Sequence, residues 1–281
     1  MMITLLVILI CLGLDYGLKV NSRYRLFNWF NAYENQVLAL GGDWVRSQPW
    51  VTIAALIVPF AVVLCVLQWV CGFSRITHIL FSIAVLWFCL STCEWRDMIL
   101  SYLQSDKDTD TGEVAELLTD GHADEATIAE ESSFANKLKN AIFWQAHEQV
   151  LAIIFWFVIL GPIGAALYRF IWLMCHRSSS DVVSGAAATA ISQVHDVAAW
   201  IPARVTALTY CLVGNWHPSW GAWAKNALRP GFSRGLLVEC GNLAIESSVH
   251  EDKQKVRAAL SLVTRALIAW LLVLLLAVVL N

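Results

Sequence analysis

Residues 50–70 read WVTIAALIVPFAVVLCVLQWV and contain no charged side chain. A helix rises about 1.5 Å per residue, so this run would be about 31 Å long, enough to cross the hydrocarbon core of a bilayer. Pro59 stands near the middle of the run and is expected to kink the helix. The run therefore predicts a transmembrane α-helix.

Further apolar runs lie on both sides of this segment. The run 76–93 follows after a short link, and two spans joined so closely are typical of a helical hairpin. A weaker segment, 197–214, contains Arg204 and can be interpreted as a crossing or as a re-entrant or membrane-surface helix. The other apolar runs are 1–14, 150–168 and 267–280. We expect an all-α polytopic membrane protein with about four to six membrane helices and cytoplasmic helical loops.

The composition supports this fold class. Apolar residues make up 58% of the 281 residues and charged residues 15%, against roughly 45–50% and 25% in soluble domains. The difference excludes a soluble globular enzyme, a disordered chain and a disulfide-stapled secreted domain. The 19 Lys and Arg against 22 Asp and Glu give a net charge of −3, so no nucleic-acid partner is expected.

The charges of the loops predict a topology. The loops 19–49 and 94–140 flank the hairpin and should lie on one side of the membrane. Both carry basic residues next to the bilayer, which places that side in the cytoplasm. Residues 94–140 are predicted to be an acidic cytoplasmic helical loop, and 215–258 a second cytoplasmic loop. The whole chain, 1–281, is predicted to form a single membrane domain.

Common catalytic and cofactor motifs are absent from the sequence. It has no phosphate-binding Gly-x-x-x-x-Gly-Lys-Ser/Thr, no nucleophile elbow and no His-Glu-x-x-His. The eight cysteines form no Cys-x-x-Cys pair and are interpreted as packing residues. We therefore predict no catalytic residue, no metal and no cofactor.

One polar stretch, 195–206, begins with His195 and ends with Thr206. Asp196, Trp200 and Arg204 are spaced four apart, so they would form a stripe on one continuous helix. An acid and a guanidinium at the edge of apolar surroundings indicate either a binding site or a structural pair at a kinked corner. Both interpretations remain open on these residues alone.

A second polar stretch, 140–149, enters the membrane. His147 and Glu148 lie where a cytoplasmic helix would meet the bilayer. Such residues are either solvated or part of a functional site. Glu148 is therefore a candidate ligand-binding residue.

Three segments together resemble the AmpE family: NAIFWQA (140–146), FWFVILGPIGAALYR (155–169) and DVAAWIPARVT (196–206). The resemblance implies a multi-pass protein of the bacterial inner membrane, associated with β-lactamase induction and with the recycling of cell-wall muropeptides. It favours a regulatory or signalling protein without catalysis. The expected partners are the lipid bilayer and an anionic small molecule or a membrane-protein partner. The candidate ligand-binding residues are Arg204, Asp196, Glu148, Trp200 and His195.

The AmpE family is in turn similar to the CobD/CbiB family, whose membrane enzymes join an aminopropanol phosphate to adenosylcobyric acid. That resemblance implies an amide-forming ligase as the alternative function. At two positions where those enzymes carry an acid, this chain has Trp144 and His195. An indole cannot ligate Mg²⁺, and imidazole replaces a hard oxygen ligand poorly. A structural subunit of a membrane complex is the second alternative.

Overall fold

The computed structural model describes residues 2–17, 28–90, 96, 99–103, 134–177, 185–245 and 251–280. Every regular element in these ranges is helical, so the prediction of an all-α membrane protein is confirmed. Most of the acidic loop predicted at 94–140 lies outside the described residues. The helices are α1 (Met2–Gly17), α2 (Asn28–Ser47), α3 (Pro49–Cys71), α4 (Arg75–Cys89), α5 (Phe134–Ala146), a π-helical turn (His147–Leu151), α6 (Ala152–Arg177), α7 (Gly185–Val213), α8 (Trp216–Asn226), α9 (Ser233–Ala244) and α10 (Asp252–Val279).

Three segments of the described chain are long and apolar enough to cross a membrane. They are Pro49–Cys71, Phe134–His176 and Asp252–Val279, while Met2–Asp15 and Arg75–Cys89 are shorter apolar helices. These five segments include or overlap the five apolar runs of the sequence. All but the last residue of the weaker run, 197–214, lie in α7, which is not among the three long apolar segments.

Two prolines act differently on their helices. Pro59 is accommodated within α3, whereas Pro162 follows Gly161, whose φ of 68° and ψ of −154° interrupt α6. A positive φ is inexpensive only for glycine, and proline supplies no N–H to the preceding turn. The Gly-Pro pair therefore produces a break in α6.

The described residues form two compact units, and each combines two separate stretches of chain. Unit 1 consists of residues 92–151 and 200–281. In unit 1, α5 packs against α9 and α10, and α8 packs against α9. Its core is aliphatic and aromatic and includes Leu138, Ile142, Phe143, Tyr210, Leu236, Leu237 and Leu262.

Unit 2 consists of residues 2–91 and 152–199. In this unit α4 packs against α1 and α6, and α3 packs against α2 and α6. Its core is rich in aromatic rings, including Phe30, Phe170 and Trp172. The assignment of 1–281 to a single membrane domain, and of 215–258 to a cytoplasmic loop, stays a prediction.

Candidate functional site

A buried turn with three polar residues lies at the end of α5 in unit 1. Residues 147–151 form a π-helical turn at the end of α5, and all five side chains are buried. His147 is 0% exposed and Glu148 is 1% exposed. π-helical turns are rare and occur frequently at functional sites. Ionisable groups at this position in an apolar segment are costly, which indicates that they serve a purpose other than packing.

The polar side chains of this turn are joined by hydrogen bonds. His147 Nδ1 lies 3.1 Å from Thr206 Oγ1, a residue 59 positions further along the chain. Gln149 Nε2 donates a hydrogen bond of 2.5 Å to Gln145 Oε1. The turn is therefore tied to α7 and to the preceding turn of its own helix. Sequence reasoning missed Thr206 as a site residue, although its place in the Pro-Ala-Arg-x-Thr motif was a usable signal.

Trp144 stands just before the π-helical turn and is itself buried. Its ring centroid lies 5.8 Å from that of His147. The guanidinium carbon of Arg234 lies 5.9 Å from the Trp144 ring centroid, within the range of a cation–π contact. The neighbourhood of Trp144 therefore contains an indole, an imidazole and a guanidinium.

Arg204 is buried, with 7% of its surface exposed, and its guanidinium is held by four hydrogen bonds. Three acceptors are backbone carbonyl oxygens: Ala227 O at 2.8 Å, Arg229 O at 2.7 Å and Trp200 O at 3.1 Å. The fourth is Ser233 Oγ at 2.6 Å. The guanidinium carbon also lies 4.4 Å from the centroid of the Trp200 ring.

These bonds give Arg204 a structural role in unit 1. Four of its five N–H donors are engaged by protein oxygens. Three of the four acceptors lie in the segment 227–233, which connects α8 to α9. Burial lowers the pKa of Arg204 from its ordinary value, yet arginine remains charged in proteins. The geometry therefore favours the structural role that the sequence left open.

The segment that Arg204 holds is itself basic. Arg229 is exposed and its guanidinium carbon lies 4.8 Å from the Phe232 ring centroid. Arg234 follows at the start of α9 and reaches the Trp144 ring. Two further arginines are thus placed on or beside the segment that Arg204 fixes, and neither was predicted as a site residue.

The five predicted site residues divide between the two units. Glu148, Trp200 and Arg204 belong to unit 1, and the structure brings Trp200 and Arg204 into contact. His195 and Asp196 belong to unit 2. The ligand-binding role of all five stays a prediction.

The two unit 2 residues differ in exposure. His195 is buried, with its ring centroid 5.7 Å from that of His176 and 6.0 Å from that of Tyr168. Asp196 is exposed. Within the described ranges, no three His, Cys, Asp or Glu side chains are grouped as metal ligands would be.

Comparison with known proteins identifies the family. The profile of a family described as "Regulatory signalling modulator protein AmpE" matches residues 3–280. The chain belongs to the AmpE family. This match confirms the resemblance read from the three sequence segments and indicates a regulatory membrane protein.

A second similarity is to part of a curated protein. The chain is 31% identical over 104 residues to the cobalamin biosynthesis protein CobD of Chromobacterium violaceum. The matched stretch covers 35% of this chain and 32% of that protein, so the chain spans about a third of its relative's length. This supports the predicted relation to the CobD/CbiB family. No solved structure shows a significant match.

Proposed function

We propose that this chain is a non-catalytic regulatory component of the bacterial inner membrane, which it crosses several times. We propose further that it acts in β-lactamase induction and in the recycling of cell-wall muropeptides. The family description supports a regulatory protein, and the long apolar helices support a membrane location.

The observation that carries the proposal is the buried polar turn of unit 1. A regulator needs an element whose arrangement a ligand or partner can bias. The buried His147–Thr206 contact joins the π-helical turn to α7. A π-helical turn contains one residue more than the α-helix permits, so a one-residue shift would rearrange the buried side chains. Glu148 would then change its surroundings, which makes the turn a suitable switch.

The expected ligand is an anionic small molecule or an acidic surface of a membrane-protein partner. Arg229 and Arg234 supply positive charge on and beside the segment 227–233. Arg204 holds that segment through its backbone and therefore acts as a positioning residue. Guanidinium groups suit this role because they bind carboxylate and phosphate through two parallel hydrogen bonds.

Complementation of a strain lacking this chain tests the regulatory role. The wild-type chain should restore β-lactamase induction by a cell-wall antibiotic. Glu148→Gln, which removes the charge and keeps the shape, should reduce induction while the amount of chain in the membrane stays the same. Arg257 is exposed on α10, so Arg257→Ala serves as the matched control and should behave as wild type. Normal induction in the deletion strain, or in the Glu148→Gln strain, would contradict the proposal.

The similarity to CobD favours amide-forming ligase activity as the second candidate. Purified protein is incubated with ATP, Mg²⁺, cobyric acid and aminopropanol phosphate, and the products are resolved by mass spectrometry. We expect no condensation, because Trp144 and His195 stand where those enzymes carry polar ligands. Turnover that depends on both ATP and Mg²⁺ would replace the regulatory proposal with the enzymatic one.

The proposed topology has its own test. The loops 19–49 and 94–140 should face the cytoplasm, because their basic residues flank the membrane segments. Single cysteines placed in these loops of a cysteine-free chain should react with a membrane-impermeant reagent only after the spheroplasts are lysed. Labelling of either loop in intact spheroplasts would show that this loop faces outward and would contradict the proposed topology.

A further inference from the structure

The last helix, α10, indicates which end of unit 1 meets the bilayer. Its buried residues extend from Val256 to Ala266. Beyond Ala266 the helix carries no charge and exposes large apolar side chains, among them Leu272 and Val279. A long row of exposed apolar side chains on an uncharged helix is stable in hydrocarbon and costly in water. This pattern indicates that the hydrocarbon core begins near Ala266, at what we call the bilayer end of unit 1.

The helices α5 and α7 run in opposite directions through unit 1. Phe143 of α5 has its ring centroid 5.5 Å from that of Tyr210. Four residues later, His147 Nδ1 lies 3.1 Å from Thr206 Oγ1. The residue numbers thus rise along α5 while they fall along α7. Arg204 therefore lies beyond Thr206 in the direction in which α5 runs.

The helix α10 runs in the same direction as α5. Lys139 and Lys255, in the first half of each helix, are close enough for their charges to interact. Further along α10, Trp270 Nε1 donates a hydrogen bond of 2.9 Å to Thr209 Oγ1. Thr209 directly precedes the α7 residue that packs against Phe143. Both helices therefore lead from the two lysines toward the bilayer end.

Arg204 fixes the segment 227–233 at the bilayer end. It lies five residues before Thr209 on α7 and thus about 7.5 Å nearer to that end along the helix axis. It donates to two backbone carbonyl oxygens of the segment. From the end of α8, Trp223 Nε1 also donates to Arg204 O, at 3.1 Å. The segment therefore lies at the depth where the hydrocarbon core begins.

The segment presents an apolar side chain next to a cation. Leu228 is 84% exposed. The backbone of Arg229 is fixed by its bond to Arg204, whereas its side chain is exposed, with the guanidinium carbon 4.8 Å from the Phe232 ring centroid. Burial in hydrocarbon stabilises an exposed leucine, and an exposed guanidinium at the same depth suits phosphate oxygens.

We propose that the segment 227–233 rests on the bilayer surface, with Leu228 at the edge of the hydrocarbon and Arg229 bound to the phosphate of an anionic phospholipid. Arg204 sets the depth of the segment and takes no part in the lipid contact. The inference rests on the proposed anion-binding role of this segment. It identifies the anion as a lipid headgroup rather than a soluble molecule or an acidic protein surface.

The depth of the segment is measured on the full-length, cysteine-free protein in nanodiscs. A nitroxide is attached to a single cysteine, Leu228→Cys, and its collisions with oxygen and with a water-soluble nickel chelate are compared by electron paramagnetic resonance. His217 is exposed just after the end of α7, about 15 Å along that helix from Arg204, so His217→Cys is the matched control.

We expect oxygen to dominate the collisions at position 228 and nickel to dominate at position 217, because oxygen concentrates in hydrocarbon and the chelate stays in water. Equal access of nickel to both positions would overturn the proposal. The segment would then face water, where a soluble anion or a partner protein could bind it.

Lipid retention tests the charge in the chain with its native cysteines. The protein is released from nanodiscs of phosphatidylcholine and phosphatidylglycerol in equal amounts, and native mass spectrometry counts the bound lipids. Wild type should prefer phosphatidylglycerol, and Arg229→Gln should lower this preference about fivefold, as expected for one cation near an anionic surface. Arg257 is exposed near the charged start of α10, so Arg257→Gln is the control and should keep the preference.

An unchanged preference in Arg229→Gln, or an equal loss in Arg257→Gln, would overturn the proposal, and this result decides if the cysteine-free chain does not fold. The outcome is distinguishable from failure of the proposed function. Loss of the lipid contact together with normal restoration of β-lactamase induction would overturn this inference alone. A preserved lipid contact in a chain that fails to restore induction would overturn the regulatory role alone.

Discussion

Replacing Arg204 by alanine should release the segment 227–233 while the remainder of unit 1 stays folded. The guanidinium donates to Ala227 O, Arg229 O and Ser233 Oγ, and all three bonds run from α7 to this segment. Arg204→Ala removes these three bonds together with the bond to Trp200 O and the contact with the Trp200 ring.

The magnitude follows from the number and kind of these bonds. A hydrogen bond to a charged group contributes about 1.5–3 kcal/mol. The sum of four overestimates the loss, since they share one side chain and the released carbonyl groups can reach water. We therefore expect local stability to fall by roughly 3–5 kcal/mol. A loss of about 1.4 kcal/mol raises the equilibrium constant for local opening tenfold. Amide hydrogen exchange in the segment 227–233 should therefore accelerate by at least about a hundredfold.

Hydrogen–deuterium exchange with mass spectrometry measures this directly on the purified full-length chain. Peptides covering 227–233 should exchange faster in Arg204→Ala, while peptides from α10 should not change. Arg204→Lys should restore only part of the protection, because an ammonium cannot reproduce the planar fork of donors. Arg257→Ala serves as the control for loss of an arginine. Unchanged protection of 227–233 in Arg204→Ala would refute the positioning role.

Two other predictions concern contacts inside unit 1. A Cβ at Gly241 would lie 2.7 Å from a ring carbon of Phe143, so Gly241→Ala should destabilise the protein by about 1–3 kcal/mol in chemical unfolding. Gly221 has no atom within 4 Å of an added Cβ, so Gly221→Ala should be neutral or stabilise by up to about 1 kcal/mol; destabilisation by both would show that the contact is not the cause. Thr206→Val removes the hydroxyl beside His147 Nδ1 and should cost about 1–2 kcal/mol. Thr206→Ser keeps the hydroxyl and loses only a buried methyl group, which should cost about 0.8 kcal/mol; a loss in Thr206→Ser as large as that in Thr206→Val would exclude the hydrogen bond.

The sequence alone predicted the membrane helices because their signal is local. An uncharged run such as 50–70 can satisfy its backbone hydrogen bonds in a bilayer only as a helix, whatever it packs against. The break at Gly161-Pro162 is also a local property, since glycine permits a positive φ and proline supplies no N–H to the preceding turn. The predicted end of the run 76–93 was less accurate, because no proline or glycine there marks a helix terminus. In the structure, α4 ends at Cys89.

The partners of Arg204 could not be derived from the sequence. Composition and spacing showed that this charge lies in apolar surroundings and needs a partner, and they left open what that partner is. Its acceptors outside α7 lie 23 to 29 residues further along the chain, and two of them are backbone carbonyl oxygens. Every residue carries such an oxygen, so no side chain identifies the ones that accept.

The same distinction applies to the buried polar turn. The sequence showed His147 and Glu148 at a membrane boundary, where they could equally have been solvated. Only the structure shows that this turn is buried and that His147 Nδ1 lies beside Thr206 Oγ1 of α7. Hydropathy and backbone preferences act within a few residues and are readable in the sequence; hydrogen-bond partners depend on residues far apart in the chain and are decided by the tertiary structure.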